Sequence, residues 1–107
     1  MTGHCLVMTT VDSTTAATDL ANAVIAARAA ACAQIVGPIR SVYRWDGEVT
    51  ADEEWQVVMK TAADAVDRLT EVIIANHSYD LPEIVAVPIT GGSTAYLSWV
   101  TDETRPA

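Results

Sequence analysis

"SVYRWDGEVTADEEWQVVMKT", residues 41–61, is the stretch whose reading decides the fold. Two runs rich in aromatic and β-branched residues flank Asp46-Gly47. A two-residue type I′ turn needs positive φ at both central positions, which this pair accepts, so the spacing predicts a β-hairpin. In "EEWQVVMKT" (53–61), Trp55, Val57 and Met59 alternate with Gln56, Val58 and Lys60, giving a returning strand with one face more polar than the other. Upstream, Ala33 to Trp45 reads as one extended strand. Gly37-Pro38 interrupts it as a bulge or kink, and Ile39, Ser41, Tyr43 and Trp45 share a face beyond the interruption.

Working outward, "HCLVMTTV" (4–11) is a short apolar, β-branched run that stops at Asp12-Ser13, a buried strand handing over to a helix cap. From Thr14 to Ala31, Ala17, Leu20, Ala21, Val24, Ile25 and Arg28 recur at helical spacing in an alanine-rich segment. A second helix is predicted over Ala62 to Asn76, with Val66, Leu69 and Ile73 on one side and Asp64, Asp67, Arg68 and Glu71 on the other. After "HSYDLPE" (77–83) comes "IVAVPI" (84–89), continuous and apolar as a central strand would be. Gly91-Gly92 and a short helix around "STAYLSWV" (93–100) follow. The order is βαββαβ plus a C-terminal helix. This is an α+β, ferredoxin-like arrangement with helices on one face of an antiparallel sheet. Many functions use that fold, so function has to be argued from the site.

The 107 residues fit a single domain, 1–107. Fourteen acidic against six basic residues give a formal charge of −8, which repels phosphate backbones and argues against nucleic acid as a partner. No run approaches the ~18 apolar residues of a membrane span, and the first residues lack the charged lead of a secretory signal. Cys5 and Cys32 stand far apart with no CxxC pair, which is not a zinc framework. The expectation is a reduced, cytoplasmic protein with no membrane partner.

Lengths carry a further expectation. At ~3.3 Å per residue, the strand from Ala33 to Trp45 spans roughly 40 Å, whereas the second helix at ~1.5 Å per residue covers about 22 Å. The hairpin must outrun its own cover. Its distal part carries Val42, Tyr43, Trp45 and Trp55, apolar surface that a monomer rarely leaves in water, so a second chain is expected to cover it.

The stretches "RAAACAQI" (28–35), "SVYRWDG" (41–47), "EWQVVMKT" (54–61), "HSYDLPEI" (77–84) and "GSTAYLSW" (92–99) resemble, in this order, the divalent-cation tolerance family CutA. Two positions depart from the family's usual pattern: Ala29 stands where Leu is usual, and Ser78 where Pro is usual. The resemblance implies a ferredoxin-like protomer in a tight homotrimer whose long hairpins pair between chains. It also implies a link to tolerance of copper and other divalent metal ions, with copper binding as a family property. The assembly it implies is similar to that of the PII signalling proteins, which points to ligand binding or signalling and to no established enzymatic activity.

"HSYDLPE" places an imidazole, a phenol and carboxylates close together in sequence. It reads either as a set of nitrogen and oxygen ligands or an acid-base pair, or as a stiff loop closed by Pro82. His77, Tyr79 and Glu83 match the family motif and are expected to line a cleft between protomers. Lys60 and Glu54 lie on one side of the third strand, where they could pair or face a ligand. As metal ligands the candidates are His77, Glu83 and, for copper(I), Cys32, although a lone buried cysteine behaves mostly as a small hydrophobe. Tyr43, Trp45, Trp55 and Trp99 are the expected interface anchors. No nucleophile elbow, P-loop or dinucleotide fingerprint is present. Two alternatives stay open. One is a small isomerase or tautomerase-like enzyme with an intersubunit site from His77, Tyr79, Glu83 and Lys60. The other is a trimeric scaffold.

Overall fold

The computed structural model describes residues 2–106. Its elements are β1 (His4–Val11), α1 (Thr14–Ala26), β2 (Cys32–Trp45), β3 (Glu48–Ala62), α2 (Val66–Ala75), β4 (Val85–Ile89) and α3 (Thr94–Glu103), with a 3-10 turn (Ala63–Ala65) leading into α2. The strands form one antiparallel sheet in the order β2-β3-β1-β4. Each helical crossover therefore skips one strand position, as a split βαβ unit does.

The local signals act where the sequence puts them. Trp45 pairs with Glu48 across the turn, and Asp46 and Gly47 adopt φ of 53° and 81°, the two positive angles a type I′ turn requires. Ser13 caps α1 by accepting a hydrogen bond at 3.0 Å from the Ala16 N–H. α1 ends at Ala26, earlier than the expected Ala31. Arg28 takes a φ of 55°, which breaks the helix, and its guanidinium donates to the carbonyls of Arg105 and Asp102 at 2.6 and 2.9 Å. Arg68 bonds the carbonyls of Ala27, Arg28 and Thr104. Two arginines thus tie together the ends of α1 and α3, where helices leave carbonyls unpaired.

Alternation sorts the sheet's faces. Val7, Val11, Val57 and Met59 point toward α1 and α2, where Leu20, Val24, Leu69 and Ile73 complete a core that solvent does not reach. Each such side chain contributes about 1.5–3 kcal/mol by leaving water. Trp55 shares this parity and packs against the core, so the expectation that it lies on the uncovered hairpin is corrected. It sits beneath Gly37, where an added Cβ would collide with the indole ring. The strand register slips between Val36 and Ile39, which is the expected bulge at Gly37-Pro38.

The opposite face is different. Leu6 lies opposite Val87, and Met8 between Val58 and Val85, and Val36, Val85 and Val87 are each more than two-fifths exposed. α1 and α2 share the covered face. α3 meets the other side, where Thr101 Oγ1 lies 2.7 Å from His4 Nε2 and Tyr96 lies beside Cys32. Beyond Trp55, where pairing with β1 stops, β2 and β3 pair only with each other from Ile39↔Glu54 to Trp45↔Glu48. This overhang has solvent on both faces, with Val42 64% and Val49 67% exposed, and the molecule extends 44 Å along its longest axis.

Candidate functional site

A cavity of about 520 Å³ opens where the root of the overhang faces the loop between α2 and β4. Ser41, Tyr43, Trp45 and Glu54 line it from the hairpin, Thr10 from the end of β1, and Tyr79, Asp80, Leu81 and Glu83 from the loop. The ladder explains the first set. Ile39 pairs with Glu54, so the alternate positions beyond it, Ser41, Tyr43 and Trp45, share the Glu54 face.

His77 works as a latch. Its Nε2 meets the Thr10 carbonyl at 2.9 Å and Thr9 Oγ1 at 3.2 Å, and its Nδ1 accepts the Tyr79 N–H at 3.1 Å. An Nδ1 that accepts leaves the proton on Nε2, which then donates to the carbonyl. The imidazole packs on the Tyr79 ring with centroids 4.8 Å apart. Tyr79, so placed, donates its hydroxyl to Glu54 Oε2 at 2.9 Å. Burial, and then the Glu54 carboxylate beside it, push the Tyr79 phenol well above its ordinary range, so it stays a neutral donor. The Tyr43 hydroxyl donates to Asp52, which raises that phenol as well.

The cleft thus brings together Glu54, Tyr79 and Glu83, with His77 behind Tyr79. Lys60 faces the same side of β3 as Glu54 but turns to Gln34, with Nζ 2.8 Å from Oε1. Cys32 lies elsewhere, beside Tyr96, whose phenol is raised by burial and by that thiol. Cys5 and Cys32 are both free. Trp99 is 43% exposed on α3 and packs on Tyr96. Among the described residues no three His, Cys, Asp or Glu side chains are placed to hold a metal ion. His77, Cys32 and Glu83 therefore do not form one donor set within the protomer, and His77 has both ring nitrogens engaged. Tyr43 and Trp45, read from the sequence as interface anchors, also form the aromatic wall of the cleft. Their shared parity with Glu54 was the available signal. Asp80 and Leu81 carried no signal of their own.

A ferredoxin-like sheet with an overlong hairpin and an aromatic, acidic cleft at its root defines the class of protein. The chain belongs to the CutA1 divalent ion tolerance protein family, whose profile matches residues 5–103. It is 42% identical to the divalent-cation tolerance protein CutA of Thermus thermophilus over 92% of this chain and 96% of that one. It is 45% identical to the chloroplastic protein CutA of Arabidopsis thaliana over 94% of this chain and 55% of that one, so it spans about half the length of that plant relative. The crystal structure of CutA1 from Oryza sativa superimposes with a TM-score of 0.93 at 41% identity, covering 100% of both chains. Among the described residues no helix is long and apolar enough to cross a membrane.

Proposed function

We propose that the protein serves divalent-cation tolerance, copper tolerance included, as a cytoplasmic homotrimer. In this reading it binds a ligand in the Glu54–Tyr79 cleft and signals that state through its assembly, by binding and not by catalysis. The observation that carries it is the uncovered side of the sheet. Val36, Val85 and Val87 on that side, Trp99 on α3 and Val42, Trp45 and Val49 on the overhang are all exposed, apolar side chains of a kind that a second copy would take out of water, and the cleft is lined in part by the same hairpin. The names of the relatives, divalent-cation tolerance proteins, supply the physiological direction. A cleft built from a latched tyrosine and carboxylates suits recognition, since the raised Tyr79 phenol stays a neutral donor to Glu54.

The test is complementation. In a host lacking its own relative and challenged with copper, the wild-type chain should restore growth. A Glu54→Gln/Tyr79→Phe variant that still shows the trimer mass by light scattering should not. Full rescue by that variant, or a monomer mass for the wild type at micromolar concentration, would overturn the reading. So would stoichiometric copper binding, retained against excess glycine and lost in His77→Ala or Cys32→Ser, because it would replace the cleft ligand with a resident metal. Glycine is needed because copper(II) is held by almost any imidazole or carboxylate.

A further inference from the structure

Resting on the reading that the cleft binds a ligand, we infer that this ligand is an organic cation, an ammonium or guanidinium carried on an apolar stem. Glu54 is only 8% exposed, yet it lines the cavity. One carboxylate oxygen accepts the Tyr79 hydroxyl, and the other has no hydrogen-bond partner among the described residues. Among the described residues no basic side chain pairs with it. The ion pairs formed are Arg28–Glu103 and Arg105–Asp64, and Lys60 is committed to Gln34. That second oxygen is open to the cleft, so an entering cation gains a direct charge-assisted contact with it.

The rest of the cleft agrees in kind. Tyr43, Trp45 and Tyr79 line it with aromatic rings, whose faces attract cations through their quadrupoles. Asp80 and Glu83 add the same sign of charge around the cavity, and the chain's net charge of −8 concentrates cations near it. A bare metal ion fits poorly, because these carboxylates do not converge with a third donor. An anion would meet like charge, and a neutral molecule would gain no charge-assisted contact with Glu54. The volume of about 520 Å³ exceeds that of a single charged head, so the apolar stem has room along the aromatic wall. The same chemistry has two sources. One is a free small molecule. The other is a guanidinium of Arg40 or Arg44 from a second copy, both of which make no hydrogen bond or ion pair among the described residues of their own chain.

Butylguanidinium and butylammonium are the probes, with butanol and butyrate as neutral and anionic counterparts of the same length. They would be titrated into the assembled protein at constant ionic strength while indole N–H resonances are followed by NMR. Saturable binding of the cations is expected, weakened at least tenfold by Glu54→Gln in protein of unchanged mass and melting temperature, and not displaced by calcium. An Arg40→Ala/Arg44→Ala variant separates the sources. Equal affinity with and without the arginines supports a free ligand. Cation binding that emerges only once they are removed supports the same chemistry with the neighbouring copy as its source. Butanol or butyrate binding as tightly as the cations, or cation affinity unchanged in Glu54→Gln, would overturn the inference while leaving a ligand cleft in place. If none of the four binds in either background and the cleft variant restores copper tolerance, the functional reading fails with it.

Discussion

The two halves of the β2–β3 ladder are built alike and live differently. In the inner half, Cys32–Val36 against Gln56–Lys60, alternation delivers Val57 and Met59 to a face closed by helices, and neither has any exposure. In the outer half, Ile39–Trp45 against Glu48–Glu54, the same pairing and the same alternation deliver Val42 and Val49 to solvent. Strand pattern therefore specifies pairing, while burial depends on what lies above the strand. The inner half is held by its own chain's core. The outer half has only its ladder, and a two-stranded ribbon is marginal in water without further packing.

That contrast can be broken. Leu69→Ala, in α2 over the inner half, should lower unfolding stability by about 3 kcal/mol, as truncation of a fully buried leucine does. Val49→Ala, in the outer half, should change the stability of the dissociated protomer by less than about 0.5 kcal/mol. Urea denaturation of both variants checks the pair, and equal losses would erase the distinction. Trp45→Ala should act on the other equilibrium. It should weaken assembly by about 2 kcal/mol, as loss of an aromatic anchor does, read as a raised dissociation constant in sedimentation equilibrium. A variant that assembles as tightly as the wild type would mean that the outer half is not covered by another copy.

The junction between the halves gives a smaller loss than the core and the sharpest signature. Tyr79→Phe removes one hydrogen bond to a carboxylate, worth about 1–2 kcal/mol. The Tyr79 phenol is raised in the folded state, so its contribution is fully present below the unfolded phenol's pKa of about 10 and is lost as pH rises from there toward the folded value. Wild-type stability should decline on the alkaline side above that point, and Tyr79→Phe should decline less steeply. Parallel alkaline limbs in thermal melts would show that Tyr79 is not the group responsible.

The inner and outer halves also differ in how far they could be read in advance. The turn at Asp46-Gly47, the bulge at Gly37-Pro38 and the Ser13 cap rest on the chemistry of adjacent residues and were legible. The end of α1 was not, because Arg28 is held by carbonyls of Asp102 and Arg105 that only tertiary structure brings near. Trp55 was misplaced when strand length was weighed above parity with Val57 and Met59. In the cleft, the sequence marked His77, Tyr79, Glu83 and Glu54 singly. It carried no local sign that Tyr79 would reach Glu54, or that His77 would spend both nitrogens on the backbone.

The bulge on Trp55 also governs how this protein can change length. Val36 pairs with Gln56 and Ile39 with Glu54, so β2 advances one residue more than β3 there. That single extra residue lets Val36 and Ile39, three positions apart, stay on the same side of the sheet as Gln56 and Glu54. Trimming matched pairs near the hairpin tip would shorten the overhang and leave the remaining side chains on their present sides. Removing one residue at Gly37-Pro38 would turn the bulge into regular ladder, with one residue opposite Trp55, and leave Ile39 across from Glu54 and the aromatic wall in place. Length changes should therefore be accommodated in matched pairs near the tip and as a single residue at the bulge, whereas an unmatched residue lost within the outer half would turn the side chains it displaces onto the opposite side, a rule that length variants of the hairpin would obey whatever their individual residues.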